Sequence, residues 1–478
     1  MKVVRNYLYN AGYQVLAIIV PLITSYYVSR TLQPQGVGIN AFTNSIIQYF
    51  VLFANMGIGF YGNREIAYVR DNRKQISKTF WEIQIVKTVM TILSYAFFLI
   101  FMYFYTRNPI YMWAQSVNLI AVAFDISWFY QGIEDFKKTV IRNTLVKVLS
   151  MLAIFIFIKD SSDLTLYILL LAISTFLGNI TLWPSLHSLL EKIKFSELDP
   201  LPHFKPMAAM FVPQIATQVY VQLNRTMVGI MVSEKASGYY QYSDGMVKLV
   251  LALITATGTV MLPHVANAVA KGNMKFVNSI LYKSFDFVSA ISFPMAFGLA
   301  GIAVKLAPLY YGAGYAPVGT AMFIESIVII LIGWSNVIGI QYLLPTNNTK
   351  DFTTSVTLGA VVNIVLNIPM IYIGGLNGAM ISTIFSEIAV TVYQLWSVRL
   401  KLDFGKLFDS TWKYLFASVV MFIFVYNLDR YLAISWIMLF IEIMGGIIVY
   451  LIILLFLRPQ VIRNGKQLIS RQGNRKDG

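Results

Sequence analysis

Gln214, Gln218, Gln222 and Arg225 recur at helical spacing, so on a helix they form one polar face. Asn40, Asn44, Gln48 and Asn55 repeat the pattern, as do Asn6, Asn10 and Gln14, and Ser355, Gly359, Asn363 and Asn367. Asp244 and Lys248 stand one turn apart. Every one of these sets lies inside an apolar stretch of about 20 residues, the length of a bilayer crossing. A polar group at that depth is costly unless satisfied, so these faces look at protein or at water, not at lipid. Two readings follow. The amides can hydrogen-bond neighbouring helices and hold a bundle together, or they can line a hydrated cavity. Stripes on several spans, two of them carrying cations, favour the cavity. Arg225 and Lys248 lie deep. Lys87 and Lys147 lie about two turns from a span end, where either can snorkel to the head groups. Arginine supplies a rigid fork suited to phosphate oxygens and lysine a mobile point charge. A lumen holding Arg225, Lys248, Lys87 and Lys147 therefore expects an anionic substrate of the phosphate or pyrophosphate kind. Asp125, Asp244, Glu325 and Glu387 are candidates for H+ or Na+ coupling, with ion pairing to the cations as the structural alternative.

The elements that must position these groups are membrane helices. The chain has 478 residues, 57% of them hydrophobic and only 12% charged, with mean hydropathy +0.65. Soluble domains average about 45–50% apolar and about 25% charged residues. Fourteen spans are expected, near 7–29, 37–60, 80–105, 110–130, 140–158, 164–186, 206–232, 238–266, 284–304, 317–343, 352–373, 379–398, 411–427 and 433–457. The thirteenth is the shortest and weakest. The net charge of +15 is a matter of topology rather than of nucleic acid. With a cytoplasmic N-terminus, only Arg30, Arg107, Lys159, Lys235, Lys305 and Arg430 of the 37 Lys and Arg fall outside. Lys87, Lys147, Arg225 and Lys248 lie within spans, and the rest are cytoplasmic, which sets N-in, C-in. No cleavable leader is legible. Without cysteine there are no disulfides, and the three histidines, His187, His203 and His264, are scattered, so no metal or other cofactor is expected.

The longest loop, about 187–205, follows six spans and precedes six more. Sliding the halves by about 202 residues superposes the turn at Gly36 on that at Gly238, and the hairpin order repeats in the same orientation. The expected fold is all-α, with two six-helix lobes, 1–195 and 196–402, related by a pseudo-two-fold axis along the membrane normal. Two additional helices (403–458) and a basic cytoplasmic tail (459–478) follow. Gly57-Ile-Gly-Phe-Tyr-Gly62 matches G-x-G-x-x-G, but a nucleotide fingerprint needs a preceding strand, so the match is discarded. Gly36 and Gly38 are expected to allow a tight turn, Arg64 and Glu65 to pair at the cytoplasmic face, and Trp128 and Tyr130 to sit in an interfacial aromatic belt. No nucleophile–base constellation is legible, and no large external loop is present to house chemistry; the chain is read as a transporter and not an enzyme.

Several blocks carry a resemblance. They are Asn6-x₃-Asn10 leading to Pro21-Leu-Ile, Tyr27-Val-Ser-Arg30, Gly36-Val-Gly-Ile-Asn40 and Gly57-Ile-Gly-Phe-Tyr-Gly-Asn-Arg-Glu-Ile-Ala67. Asp125-Ile-Ser-Trp128-Phe-Tyr-Gln-Gly132-Ile-Glu134-Asp-Phe136, the most specific, and Gly359-Ala-Val-Val-Asn363-x₃-Asn367-Ile-Pro369 complete the set. Together they resemble the Wzx-type polysaccharide flippases of the multidrug/oligosaccharidyl-lipid/polysaccharide exporter superfamily. The resemblance implies alternating access in a bacterial cytoplasmic membrane, carrying a polyprenyl-diphosphate-linked oligosaccharide from the inner to the outer leaflet. The four cations would then hold pyrophosphate, and Gln214, Gln218, Gln222, Asn40, Asn44, Gln48, Asn363 and Asn367 the sugar hydroxyls. Membrane lipids, a glycan polymerase and glycosyltransferases are the implied partners. A multidrug exporter or a peptidoglycan-precursor flippase of the same superfamily is the alternative, the former disfavoured by a basic lumen.

Overall fold

The computed structural model describes residues 2–463, with side chains described except at 2–15, 212–214, 216–217, 219–221, 257, 259–260 and 262–264. Asn6, Asn10, Gln14, Gln214 and His264 therefore lie outside the described side chains, and the tail from 464 onward lies outside the described residues. Among the described residues the regular structure is helical throughout. The first helices are α1 (Lys2–Thr31), α2 (Gln33–Asn55), α3 (Ile58–Val69), α4 (Arg73–Phe104), α5 (Pro109–Phe124) and α6 (Ser127–Gly132). They are followed by α7 (Phe136–Phe157), α8 (Leu164–Ile180), α9 (Leu201–Met231), α10 (Glu234–Ala270) and α11 (Met274–Tyr311). The last are α12 (Ala316–Glu325), α13 (Val328–Ser335), α14 (Thr349–Val398), α15 (Phe404–Leu407), α16 (Thr411–Tyr431) and α17 (Trp436–Leu457). A helical segment overlaps every expected span. By length and composition alone, eight helices can cross a membrane, or nine if the pair bent by 46° around Ile327 is one span. The chain is a multi-pass membrane protein.

Local chemistry sets the boundaries. Asn72 accepts from the Gln75 N–H at 3.1 Å, Asn273 from Phe276 at 3.1 Å and Ser435 from Met438 at 3.2 Å, capping the starts of α4, α11 and α17. α14 is two antiparallel arms folded about Gly375, whose φ of 55° and ψ of −129° only glycine adopts readily. The end of the bent span, Asn336–Leu343, is wound as a π-helix, a form common at functional positions.

The chain divides into two compact units, 1–238 and 239–478. In the first, α2 packs on α4, α5 and α9, α5 on α8, α1 on α7, and α3 on α4 and α6. In the second, α11 is the hub for α12, α13, α16 and α17, and α14 packs on α12 and α13. The segment leading into α9 is pinned within the first unit. The Ser77 hydroxyl accepts the Glu191 N–H at 2.8 Å, Glu82 accepts the Asp199 N–H at 2.8 Å, and Arg73 reaches the Ser188 carbonyl at 2.5 Å.

Two expectations are corrected. Trp128 and Tyr130 are not in an aromatic belt at the lipid interface: both are core residues. Trp128 stacks on Phe80 with ring centres 5.6 Å apart, and the Tyr130 hydroxyl donates to the Leu182 carbonyl at 2.6 Å. An aromatic residue near a span end reads the same in sequence whether it faces head groups or a neighbouring helix. Gly36 and Gly38 do not form a turn; they lie within α2, and the left-handed residue there is Gln33 at φ 59°. Gly38 is needed for close approach. A Cβ on it would strike the backbone at Glu234, and one on Gly238 would sit 2.8 Å from the Gly38 Cα. Arg107 Nε, 2.6 Å from Glu234 Oε1, and Asn108 Nδ2 fasten the same contact.

Candidate functional site

The most elaborate polar site of the first unit is built where a membrane helix breaks. α5 stops at Phe124 and α6 starts at Ser127, with Asp125 extended at φ −78°, ψ 105°. A break at this depth frees carbonyl groups that no lipid can satisfy. Four of them are met by side chains from α4, α8 and the turn beyond α8. Asn179 Nδ2 of α8 donates to the Ala121 carbonyl at 2.8 Å, and Gln84 Nε2 of α4 to Ala123 at 2.7 Å. Trp183 Nε1 donates to Phe124 at 2.8 Å, and Lys87 Nζ of α4 to Asp125 itself. The Asp125 carboxylate turns back to accept the Ser127 N–H at 3.0 Å. Arg142 of α7 closes the ring, with Nη1 on Asn179 Oδ1 at 2.5 Å, Nη2 on the Ser127 hydroxyl at 3.0 Å, and the Asp125 carboxylate at 3.9 Å. Lys87 is 1% exposed. It does not snorkel, because its ammonium points to the break instead of to the head groups.

Two amides of α2, Asn40 and Asn44, are spent on a neighbour. Gln115 of α5 donates to Asn40 Oδ1 at 3.1 Å, accepts from Asn44 Nδ2 at 3.3 Å and from Asn118 Nδ2 at 3.0 Å. Gln48 is half-buried on the same helix. On α9, Gln218 is exposed, Gln222 and Arg225 are half-buried, and the Arg225 carbonyl accepts the Ser237 hydroxyl at 3.0 Å. Gln222 Oε1 is buried with no hydrogen-bond partner among the described residues. Lys147 is half-buried on α7.

In the second unit Lys248 pairs with Asp244 across one helical turn at 2.8 Å, its own side chain 49% exposed. Glu325, buried, accepts from the Ser243 hydroxyl at 2.8 Å, and Glu387 is half-buried. Asn363 and Asn367 are fully buried between the arms of α14. Asn367 Nδ2 donates to Asn363 Oδ1 at 2.9 Å, and the Ser382 hydroxyl of the opposite arm donates to the Asn363 carbonyl at 3.3 Å. Ser386 reaches the Gly359 carbonyl at 2.6 Å, and Gln394 reaches Ser355 at 3.0 Å, extending this zipper.

Sequence reasoning missed Gln84, Gln115, Arg142 and Asn179. Lone amides in apolar spans were the available signal for three of them. Arg142, two turns into α7, reads as a head-group cation, and nothing in the one-dimensional pattern aims it inward. It also missed a buried chain at the start of α9: His203 Nε2 lies 3.0 Å from Glu82 Oε2, and His203 Nδ1 lies 2.7 Å from the Tyr61 hydroxyl. Lys78 stands 3.7 Å from the same glutamate. Arg64 and Glu65 do pair, at 2.8 Å, on the exposed side of α3. Among the described residues no group of three or more His, Asp or Glu could hold a metal ion.

The chain folds into apolar helices whose break and buried charges are met by side chains of neighbouring segments, and this fold has counterparts among solved structures. The solved structure of the lipid II flippase MurJ in an inward closed conformation matches it with a TM-score of 0.78. That match covers 95% of this chain and 99% of the other at 16% identity. An inward-facing multidrug resistance MATE transporter matches with a TM-score of 0.62 over 80% of this chain and 93% of the other, at 13% identity. Residues 3–269 match the family described as "Polysaccharide biosynthesis protein", and the chain belongs to that family. A curated relative, the "Putative O-antigen transporter" of Escherichia coli (strain K12), is 25% identical over 417 residues, covering 83% of this chain and 96% of the relative.

Proposed function

We propose that this protein is a flippase that moves a polyprenyl-diphosphate-linked oligosaccharide from the cytoplasmic to the outer leaflet, for surface polysaccharide assembly. It acts by alternating access, as a transporter and not an enzyme, with both termini cytoplasmic and with two six-helix lobes, 1–195 and 196–402. The observation that carries the reading is α9. It carries Gln218, exposed, and Arg225, half-buried, on one polar face. A guanidinium there suits a diphosphate, and the exposed amide suits sugar hydroxyls. Lys248 and Lys147 are secondary phosphate contacts; Lys87 serves through the helix break. H+ or Na+ coupling falls to Asp125, Asp244, Glu325 or Glu387. The relative named as an O-antigen transporter and the family's description support the substrate class.

The test is depletion in the native host. Lipid-linked repeat units should accumulate in the cytoplasmic leaflet, and surface glycan should vanish. An unchanged glycan with a broadened drug sensitivity would instead indicate a multidrug exporter, and loss of viability with arrested cell-wall growth a peptidoglycan-precursor flippase.

A further inference from the structure

An uncovered groove lies on the first unit, between helices other than α9. Among the eight long apolar helices of the described chain, α7 has the least covered apolar window, only 11% buried. Between it and α8 runs a groove of about 530 Å³. Its walls are mostly apolar, and Leu145, Leu149 and Leu177 are 53%, 60% and 55% exposed along its rim, so an apolar trough is left open on the outside of these helices. Gly178 makes its floor: a Cβ there would collide with Val146 and close the gap. One end is charged. Lys138 and Arg142 line it one turn apart on α7, Thr181 and Ser185 contribute hydroxyls from the α8 side, and no carboxylate lines it at all. Asp135, just beyond, stands 3.5 Å from Lys138 but faces it from outside the groove's lining.

From this arrangement we infer that the α7–α8 groove is a binding site for an anionic glycerophospholipid, its phosphate held by Lys138 and one acyl chain laid along Leu145, Leu149 and Leu177. A basic pocket between membrane helices is the known chemistry for anionic head groups. The apolar trough supplies the second requirement, a place for a chain that no helix covers. Membrane phospholipid, not the transported lipid, is the assigned occupant because the trough lies on the least covered of the long apolar helices, where the abundant lipid with an anionic head group is phospholipid. The bound lipid would also reach the helix break. Arg142 is the shared element, with its stem on the groove and its guanidinium on Asn179, Ser127 and Asp125.

The test uses the full-length protein, delipidated in detergent and then given defined lipid. Native mass spectrometry counts bound phosphatidylglycerol, phosphatidylcholine of the same chains, and undecaprenyl phosphate. The wild type should bind phosphatidylglycerol in preference to phosphatidylcholine. Lys138→Gln should lose about fivefold of that preference, as expected for one cation near a charged head group, and Leu149→Trp should reduce binding of both phospholipids by filling the trough. Melting temperature in detergent confirms that each variant is folded. Equal binding of the two phospholipids by the wild type, or an unchanged preference in Lys138→Gln, would overturn the site. A preference for undecaprenyl phosphate over phosphatidylglycerol would overturn the assigned occupant without touching the function proposed from Arg225, which is read from surface glycan.

Discussion

Replacing Lys87 by methionine tests the account of the broken helix directly. Methionine keeps most of the stem's volume and its flexibility, so packing around α4 changes little. What is lost is a charged donor to the Asp125 carbonyl and the ammonium beside its carboxylate. A hydrogen bond from a charged group contributes about 1.5–3 kcal/mol, and removing one partner of a buried pair costs about 3–5 kcal/mol. Asp125 retains the Ser127 N–H at 3.0 Å and Arg142 at 3.9 Å, so the loss belongs at the low end, about 2–3 kcal/mol. In a unit of this size each kcal/mol moves the melting temperature by about 2–4 °C. The expected fall is therefore roughly 4–12 °C, read from a thermal melt of the purified protein in detergent. Lys87→Met/Asp125→Asn should recover more than half of that fall, because neither charge is then stranded. An unchanged melting temperature in the single variant, or a double variant worse than the single, would refute the reasoning.

Arg225→Ala should abolish surface glycan while the protein still reaches the membrane, and Arg225→Lys should retain part of it; glycan immunoblots on matched expression levels decide this. His203→Ala should lower the melting temperature by an amount corresponding to about 1–3 kcal/mol, since it removes the partner of Glu82 Oε2 and of the Tyr61 hydroxyl, while Glu82 Oε1 keeps the Asp199 N–H. Gly238→Ala should cost about 1–3 kcal/mol, because its Cβ meets the Gly38 backbone and neither side can yield by a rotamer change; an unaltered melt would sink that contact. Tyr414→Phe removes the buried hydroxyl that donates to Asp286 at 2.8 Å and should destabilise the protein by about 1–3 kcal/mol in the same assay.

Helix positions were legible because apolar runs of bilayer length have few other solutions, and helical spacing correctly grouped Asp244 with Lys248 and Asn363 with Asn367. The partner of a polar residue was not legible. Asn40 and Asn44 turned out to share Gln115, a residue about 70 positions away, and nothing along α2 encodes that. The same holds for the break at Asp125. Its sequence block was singled out, yet the four donors that stabilise it come from α4, α8 and the turn beyond α8, brought together only by tertiary packing. Glycine was misassigned for a related reason: a small residue near a span end serves a turn or a close helix contact equally well. Lys87 was ambiguous because a lysine stem is long enough to reach either the head groups or the interior.

The pinned segment ahead of α9 bears on how force passes through the first unit. Proline-bearing loops between helices are ordinarily thought of as slack. Here the connector is held by Ser77 and Glu82 through the amides of Glu191 and Asp199, and the first turn of α9 is tied by His203 to α3 and α4. While those bonds persist, the start of α9 acts as a lever arm: a tilt of that helix drags α3 and α4 with it rather than being absorbed in the linker. Slow amide exchange at Glu191 and Asp199, matching that of α4 itself, would be the signature of such a lever.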